Sequence, residues 1–223
     1  MSEVKKKPQK PQKPKAKRQK TQVEDVGRGV YDIKDAVHFR EKTERGLNES
    51  IIRRISEIKE EPEWMLQKRL EALKIFKESK NPSWGPDLTG VDIDELTTYI
   101  SPDADMTELW TDLPEDIYET FDRLGIPKAE QQQNLSGVGA QYDSEVVYHN
   151  LSKKMAEQGV IYTDFDTAVR EYPELVKKYF GKCIPPTDHR YAALHYAVWS
   201  GGSFVYVPKG VKADIPLQSY FRS

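Results

Sequence analysis

At Gly201-Gly202 the hydrophobic period of this chain changes from that of a helix to that of a strand. Before the two glycines, Asp188 to Trp199 reads as a helix that buries Tyr191, Leu194, Val198 and one or more alanines, with Asp188 as its cap. After them, Ser203 to Val207 (SFVYV) is β-branched and aromatic, Pro208-Lys209-Gly210 turns, and Ala213 to Phe221 (ADIPLQSYF) alternates. Pro216 restricts the second segment to a sheet edge or a bulge, because it has no N–H to give to a ladder. Two such strands with nothing after them leave open edges and a half-covered apolar face, so the sheet is expected to continue beyond Ser223. The fold class that follows is α+β, with helices first and an incomplete sheet last.

Upstream, the signals are mostly helical. Asn48 is a suitable N-cap for a helix that repeats Ile51, Ile55 and Ile58 on one face. Glu61-Pro62 interrupts it, and Pro62 suits the first turn of a second helix with an apolar face of Leu66, Leu70, Leu73 and Phe76. The pair reads as a helical hairpin. Asn81 to Thr89 (NPSWGPDLT) is turn-rich. Leu113-Pro114 opens a helix that ends near Gly125 and places Ile117, Phe121 and Leu124 on one side. Glu145 to His149 is strand-like, Leu151 to Gln158 is a short helix closed by Gly159, and Val160 to Tyr162 is a candidate strand. Phe165 to Phe180 reads as two helical pieces broken at Pro173. Gly137 and Gly139 in NLSGVGAQYD lack the third glycine of a dinucleotide-binding turn and read as a loop. There is no P-loop and no Cys-x-x-Cys.

Residues 1–22 stand apart. They hold nine Lys or Arg against one acid, Glu3, and no aromatic residue, which gives about +8 and leaves about −10 for the remainder. Such a segment cannot bury enough apolar surface to offset its ordering entropy and is expected to stay disordered. It carries no apolar stretch behind its charges, so it is not a secretory signal. No apolar run approaches the roughly 20 residues of a membrane-spanning helix. The mean hydropathy is −0.74. One cysteine, Cys183, forms no internal disulfide and suits a reducing, cytoplasmic setting.

Few residues offer chemistry. Cys183, His189 and His195 are soft or borderline ligands at spacings of six and six. One reading is a metal or persulfide site with Cys183 as its thiolate. The other is a small buried thiol and two surface or capping histidines. Metal sites use closer pairs, and six residues along a helix are about 240° apart, so the second reading is preferred. His149 is taken as a structural histidine. Asp103, Asp105 and Glu108 lack the glycine and distal glutamate of a calcium loop and fit an acidic cluster at a helix N-terminus. Trp64, Trp84, Trp110 and Trp199 sit in no basic groove pattern and are assigned to cores or interfaces. The Lys-rich tail would attract polyanions, but no base-reading module accompanies it, so nucleic acid is not an expected partner.

The stretch from Cys183 to Arg222 (CIPPTDHRYAALHYAVWSGGSFVYVPKGVKADIPLQSYFR) closely resembles the SufB family of the SUF iron–sulfur assembly system. AVWSGGSFVYVPKGV, Ala197 to Val211, is its most specific part. The resemblance extends upstream through SWGPDLTGVDI, WTDLPEDIYETFDRLGIPKAE, YDSEVVYHN and GVIYTDFDTAVREYPELVKKYF, covering roughly Gly46 to Arg222. Asp188-His189 and Leu194-His195 stand where that pattern commonly has asparagine second.

The resemblance implies an organisation of a disordered basic tail (1–22), a weakly patterned lead-in (23–46), an amino-terminal helical or α+β domain (47–199) and the start of a right-handed parallel β-helix (200–223). It implies a scaffold and not an enzyme, with ATPase activity belonging to the partner SufC. It further implies pairing with SufD or a second SufB, sulfur from a cysteine desulfurase system, and an iron–sulfur cluster carried transiently by the full-length family. The cluster-linked residues and the SufC-docking segment of that family fall beyond Ser223. No catalytic, cofactor-binding or metal residue is therefore assigned here, Cys183 being the one candidate, and no cofactor is expected on this chain. Two further readings are a regulatory module that binds SUF partners without holding a cluster, and a polyanion-binding protein acting through residues 1–22.

Overall fold

The structure, a computed structural model, describes residues 38–88, 90–127, 135, 137–213 and 216–222. All lie in the compact unit Asp35–Ser223. The basic tail and the lead-in up to residue 37 fall outside the described residues.

Strand β1 (Phe39–Lys42) leads into α1 (Glu49–Ile58) and α2 (Glu63–Glu78). Asn48 caps α1 as its sequence predicts, its side chain accepting the Ile51 N–H at 3.0 Å. Lys59 ends the helix, and Pro62 stands at the N-cap of α2. The buried side of α2 is Met65, Arg69, Ala72, Leu73 and Phe76. The expected face is therefore rotated: Leu66 and Leu70 are half-buried, and a fully buried arginine occupies the centre.

A short 3-10 turn (Ile93–Glu95) precedes β2 (Ile100–Pro102), which pairs antiparallel with β1. A second turn (Trp110–Asp112) leads into α3 (Glu115–Arg123). Ile117 and Phe121 of α3 are buried as expected, whereas Leu124 is exposed. Asp103 and Asp105 do not cap a helix. They receive Arg40 of β1, at 3.2 and 2.7 Å, and so hold the β1–β2 pair.

The GVG segment corrects the loop expectation. Gly137–Tyr142 is β3, the central strand of a three-stranded sheet in the order β4-β3-β7, with β4 at Glu145–Leu151 and β7 at Leu217–Arg222. The glycines are needed for close approach and not for a turn. A Cβ on Gly137 would lie 2.7 Å from Tyr162 Cδ1, 2.9 Å from the Asn150 carbonyl oxygen and 2.9 Å from Leu217 Cδ2. One on Gly139 would lie 2.9 Å from the Tyr162 hydroxyl. Tyr162 cannot yield easily, because its hydroxyl donates to the Gln218 carbonyl at 2.6 Å and meets Ser219 Oγ at 2.7 Å. Gly137→Ala is expected to cost about 1–3 kcal/mol in urea unfolding, the range for forcing atoms into a packed interior. A cost under about 0.5 kcal/mol, ordinary for an open surface site, would rule out this account of the glycine.

The remaining elements follow their sequence signals closely. They are α4 (Lys153–Glu157), β5 (Ile161–Asp164), α5 (Phe165–Glu171), α6 (Pro173–Tyr179) and α7 (Arg190–Val198). Pro173 is the first residue of α6, where its missing N–H costs nothing. Helix α7 lies along α2 and buries Ala192, Ala193 and Ala197, small side chains that let two helices come close, whereas Tyr191, Leu194 and Val198, the expected buried face, are only half-buried. Its cap is His189 and not Asp188.

The period switch at Gly201-Gly202 is real: β6 (Ser203–Tyr206) follows at once. The sequence signal does not name its partner. β6 pairs antiparallel with β5, and β7 pairs parallel with β3, so the two strands join two different sheets. β7 begins just after Pro216 and is an edge strand. One core packs α3 on β3 and β4, with Trp110 stacked on Tyr148 at 3.9 Å; a second lies between α1, α2 and α7; a third gathers Met65, Val169, Val176 and Trp199.

Candidate functional site

Among the described residues, two of the clefts gather groups that could do chemistry. The first lies at the turn between α6 and α7. Gly181 at φ +79° reverses the chain after α6, and Cys183 follows on the surface. The thiol is exposed, which overturns the expectation that it is buried. The turn also does what helical spacing alone would not: Cys183, His189 and His195 line one cleft of about 650 Å³, floored by Phe165, Phe180 and Phe204.

Sharing a cleft does not make these residues a ligand set. His189 Nδ1 accepts the backbone N–H groups of Tyr191 and Ala192, both at 3.2 Å, so its in-plane lone pair caps α7. Its Nε2 lies 3.8 Å from Asp188 Oδ2, and Trp84 meets its ring edge-on at 5.2 Å. His195 lies on the exposed side of α7. Among the described residues no group of three or more His, Cys, Asp or Glu is placed to hold a metal ion. His149 is packed against Tyr162, ring centroids 4.6 Å apart, and burial holds it below the usual histidine range. Of the tryptophans, Trp110 and Trp199 are core residues, Trp64 is half-buried and Trp84 is exposed. Cys183 is expected to react with a water-soluble disulfide reagent in the folded chain, and Cys183→Ser to change stability by less than about 0.5 kcal/mol. A thiol that reacts only in denaturant would contradict its position.

The second place is a buried ionic cluster that sequence reasoning missed. Lys59 ends α1 with its side chain 2% exposed. Its ammonium donates to Glu145 Oε1 and Oε2 of β4, both at 2.9 Å, and to Asp166 Oδ2 of α5 at 2.8 Å. Tyr99 donates its hydroxyl to Glu145, and burial, with Glu145 beside it, raises that phenol far above the ordinary tyrosine range, so it stays a donor. Arg170 returns from α5 to the Lys59 carbonyl at 3.1 Å. The cluster thus ties α1, β4, α5 and the start of β2 into one unit. Burial pushes the Asp166 carboxyl up to about 6, with Lys59 opposing the shift and Glu145 and Asp164 adding to it. A signal was present: Lys59 falls four residues after Ile55 and eight after Ile51, on the buried face of α1.

Comparison with known proteins places both sites in one family region. Residues 53–219 match the family described as SufBD protein N-terminal region. An iron-sulfur cluster assembly SufBD family protein of Staphylococcus haemolyticus is 52% identical over 198 residues, 89% of this chain and 42% of that relative. Proteins of the same description from Staphylococcus epidermidis and Staphylococcus aureus are each 51% identical, over 90% and 89% of this chain and 43% and 42% of their own lengths. The chain therefore spans less than half the length of these relatives.

Proposed function

This chain belongs to the SufBD family, and on that premise we propose that it is the amino-terminal part of a SufB-type scaffold for iron–sulfur cluster assembly. The observation that carries the proposal is the family match over residues 53–219, together with 51–52% identity to relatives described as cluster assembly proteins. On this reading the chain is not an enzyme. The cluster is its cargo, carried on the longer protein in the cytoplasm, and no helix among the described residues is long and apolar enough to cross a membrane. SufC, SufD or a second SufB, and a sulfur-donating desulfurase system are the proposed partners.

The strands support the β-helix part of the proposal. β7 runs parallel to β3 over six register pairs, Gly137↔Leu217 to Tyr142↔Arg222. Parallel pairs are what a β-helix stacks, and β7 supplies one, while β6 pairs antiparallel with β5. Val205, Val207 and Phe221 project their apolar side chains into solvent, surface that a further turn would cover.

A chimera tests the proposal. Residues 38–223 replace the matching segment of the Staphylococcus haemolyticus relative, and the chimera is assayed for cluster assembly in cells lacking their own scaffold. Assembly close to that of the intact relative is expected. A chimera that folds, by circular dichroism and gel filtration, yet assembles nothing overturns the scaffold reading. The 223-residue chain itself, reconstituted anaerobically with iron and sulfide, is expected to retain no stable visible chromophore. A chromophore lost on Cys183→Ala would move the chemistry into this chain.

A further inference from the structure

The Lys59 cluster forms the floor of an open cleft of about 490 Å³ between the β1–α1 side and α5. Its charges do not balance. At the rim, Arg40 is already taken by two carboxylates, Asp103 and Asp105, at 3.2 and 2.7 Å. Arg54 is likewise taken by two, Glu41 and Glu57, at 3.1 and 2.9 Å. On the floor, two carboxylates, Glu145 and Asp166, share the single ammonium of Lys59. Asp164 adds a third carboxylate, committed to capping α5 through the Thr167 N–H at 2.8 Å. Among the described residues Arg170 is the remaining cation facing the cleft, and there it donates to the Lys59 carbonyl and to Thr167 Oγ1, at 3.1 and 3.3 Å, and to no carboxylate. Asp166 is 8% exposed; its Oδ1 has no hydrogen-bond partner among the described residues and is closed to water, so a ligand in the cleft reaches it only when the carboxylate turns toward the opening.

A buried carboxylate oxygen without a donor is costly, and so is an ion cluster short of one charge. Both deficits are met by one group that is positive and donates hydrogen bonds. We propose that this cleft is a binding site for an organic cation, a protonated amine or guanidinium group, seated against Asp166. A metal ion fits less well. It needs several oxygen ligands at once, and the described residues offer no group of three or more placed for one. An amine or guanidinium needs a single acceptor and an apolar stem alongside, and Ile58, Ala104 and Met106 line the same cleft. The cation and a proton compete for the same oxygen, so binding weakens as Asp166 takes up its proton.

Thermal unfolding of the full chain at low ionic strength tests this, with agmatine in one arm and an acetylated, amidated tripeptide bearing one arginine in the other. At pH 7.5 a probe in about hundredfold excess over its Kd is expected to raise Tm by about 5 °C or more. The gain is expected to vanish in Asp166→Asn and to fall by about half in the unchanged protein at pH 5, where roughly a tenth of Asp166 stays ionised, and the pH arm keeps the test valid should that variant fold poorly. A shift with agmatine alone assigns the site to a free small cation, and one with the tripeptide assigns it to a side chain of a partner protein. No shift with either probe overturns the proposal. So does a shift of equal size in Asp166→Asn or at pH 5, which marks nonspecific attraction to an acidic protein.

Discussion

Arg69→Met is expected to lower unfolding stability by about 3–5 kcal/mol, the range for removing one partner of a buried ion pair. Neither side chain of the pair reaches water: Arg69 is 0% exposed and Glu61 is 2% exposed. The guanidinium donates to both Glu61 oxygens, at 2.7 and 2.6 Å, and to the carbonyls of Ala197 and Trp199, at 3.1 and 2.9 Å. It also lies 4.4 Å from the Trp199 ring. Methionine fills much of the volume and satisfies none of these acceptors. Glu61 is left as a buried charge, and two carbonyls at the end of α7 lose their donor. Lysine is not a conservative substitute, because one ammonium cannot reproduce the planar fork. Glu61→Gln with Arg69→Met is expected to recover part of the loss, since the unpaired charge is the largest single cost. Urea unfolding measures all three variants. A loss under about 1 kcal/mol for Arg69→Met would remove the pair from any account of stability. The consequence reaches the sheet: Arg69 holds the last turn of α7, and α7 hands the chain to Gly201-Gly202 and β6.

Arg69 also shows what the sequence conceals. It stands four residues after Met65 and four before Leu73, on the face that docks against α7. Reading that face as Leu66, Leu70, Leu73 and Phe76 treats arginine as solvent-facing by default, which is right for arginines without a buried partner. The partner, Glu61, lies beyond the helix start, and the two carbonyl acceptors are about 130 residues away in the chain. Local signals fared better where the cause is local. The Asn48 cap, the break at Pro173 and the turn at Gly159 all depend on a residue's own backbone. Gly137 and Gly139 misled because glycine means a turn only when backbone conformation demands it; here the demand comes from Tyr162, on another strand. The partners of β6 and β7 were hidden for the same reason, as alternation marks a strand but does not choose its neighbour. The candidate site divides along this line too. Cys183, His189 and His195 were legible as a group, but Gly181 and the turn after it decide that the thiol is exposed and that His189 is a cap.

Lys59→Met carries the second large effect, and its size depends on pH. At pH 7.5 it removes the one cation between a buried carboxylate, Asp166, and a part-exposed one, Glu145, and a loss of about 3 kcal/mol is expected, the low end of the range for a buried pair. The unchanged protein supplies the reference slope. The Asp166 carboxyl moves from an unfolded value of 3.8 to about 6 in the fold. Between those values the folded state binds more protons than the unfolded state, so the contribution of Asp166 is fully present below the lower value. It is lost as pH rises through the higher one, a change on the order of 3 kcal/mol. Asp166→Asn should flatten that part of the stability curve. Lys59 opposes the shift, so its removal drives the carboxyl higher still and extends the falling limb toward neutral pH. The penalty for Lys59→Met is therefore smaller at pH 5, where Asp166 already holds a proton, than at pH 7.5. Urea unfolding at the two pH values measures the difference, and equal penalties would mean that Asp166 does not sense Lys59. The same arithmetic ties stability to the cleft above the cluster. At neutral pH the fold carries an ionised Asp166 with half a share of one ammonium, and a second cation at that oxygen restores what protonation supplies at pH 5.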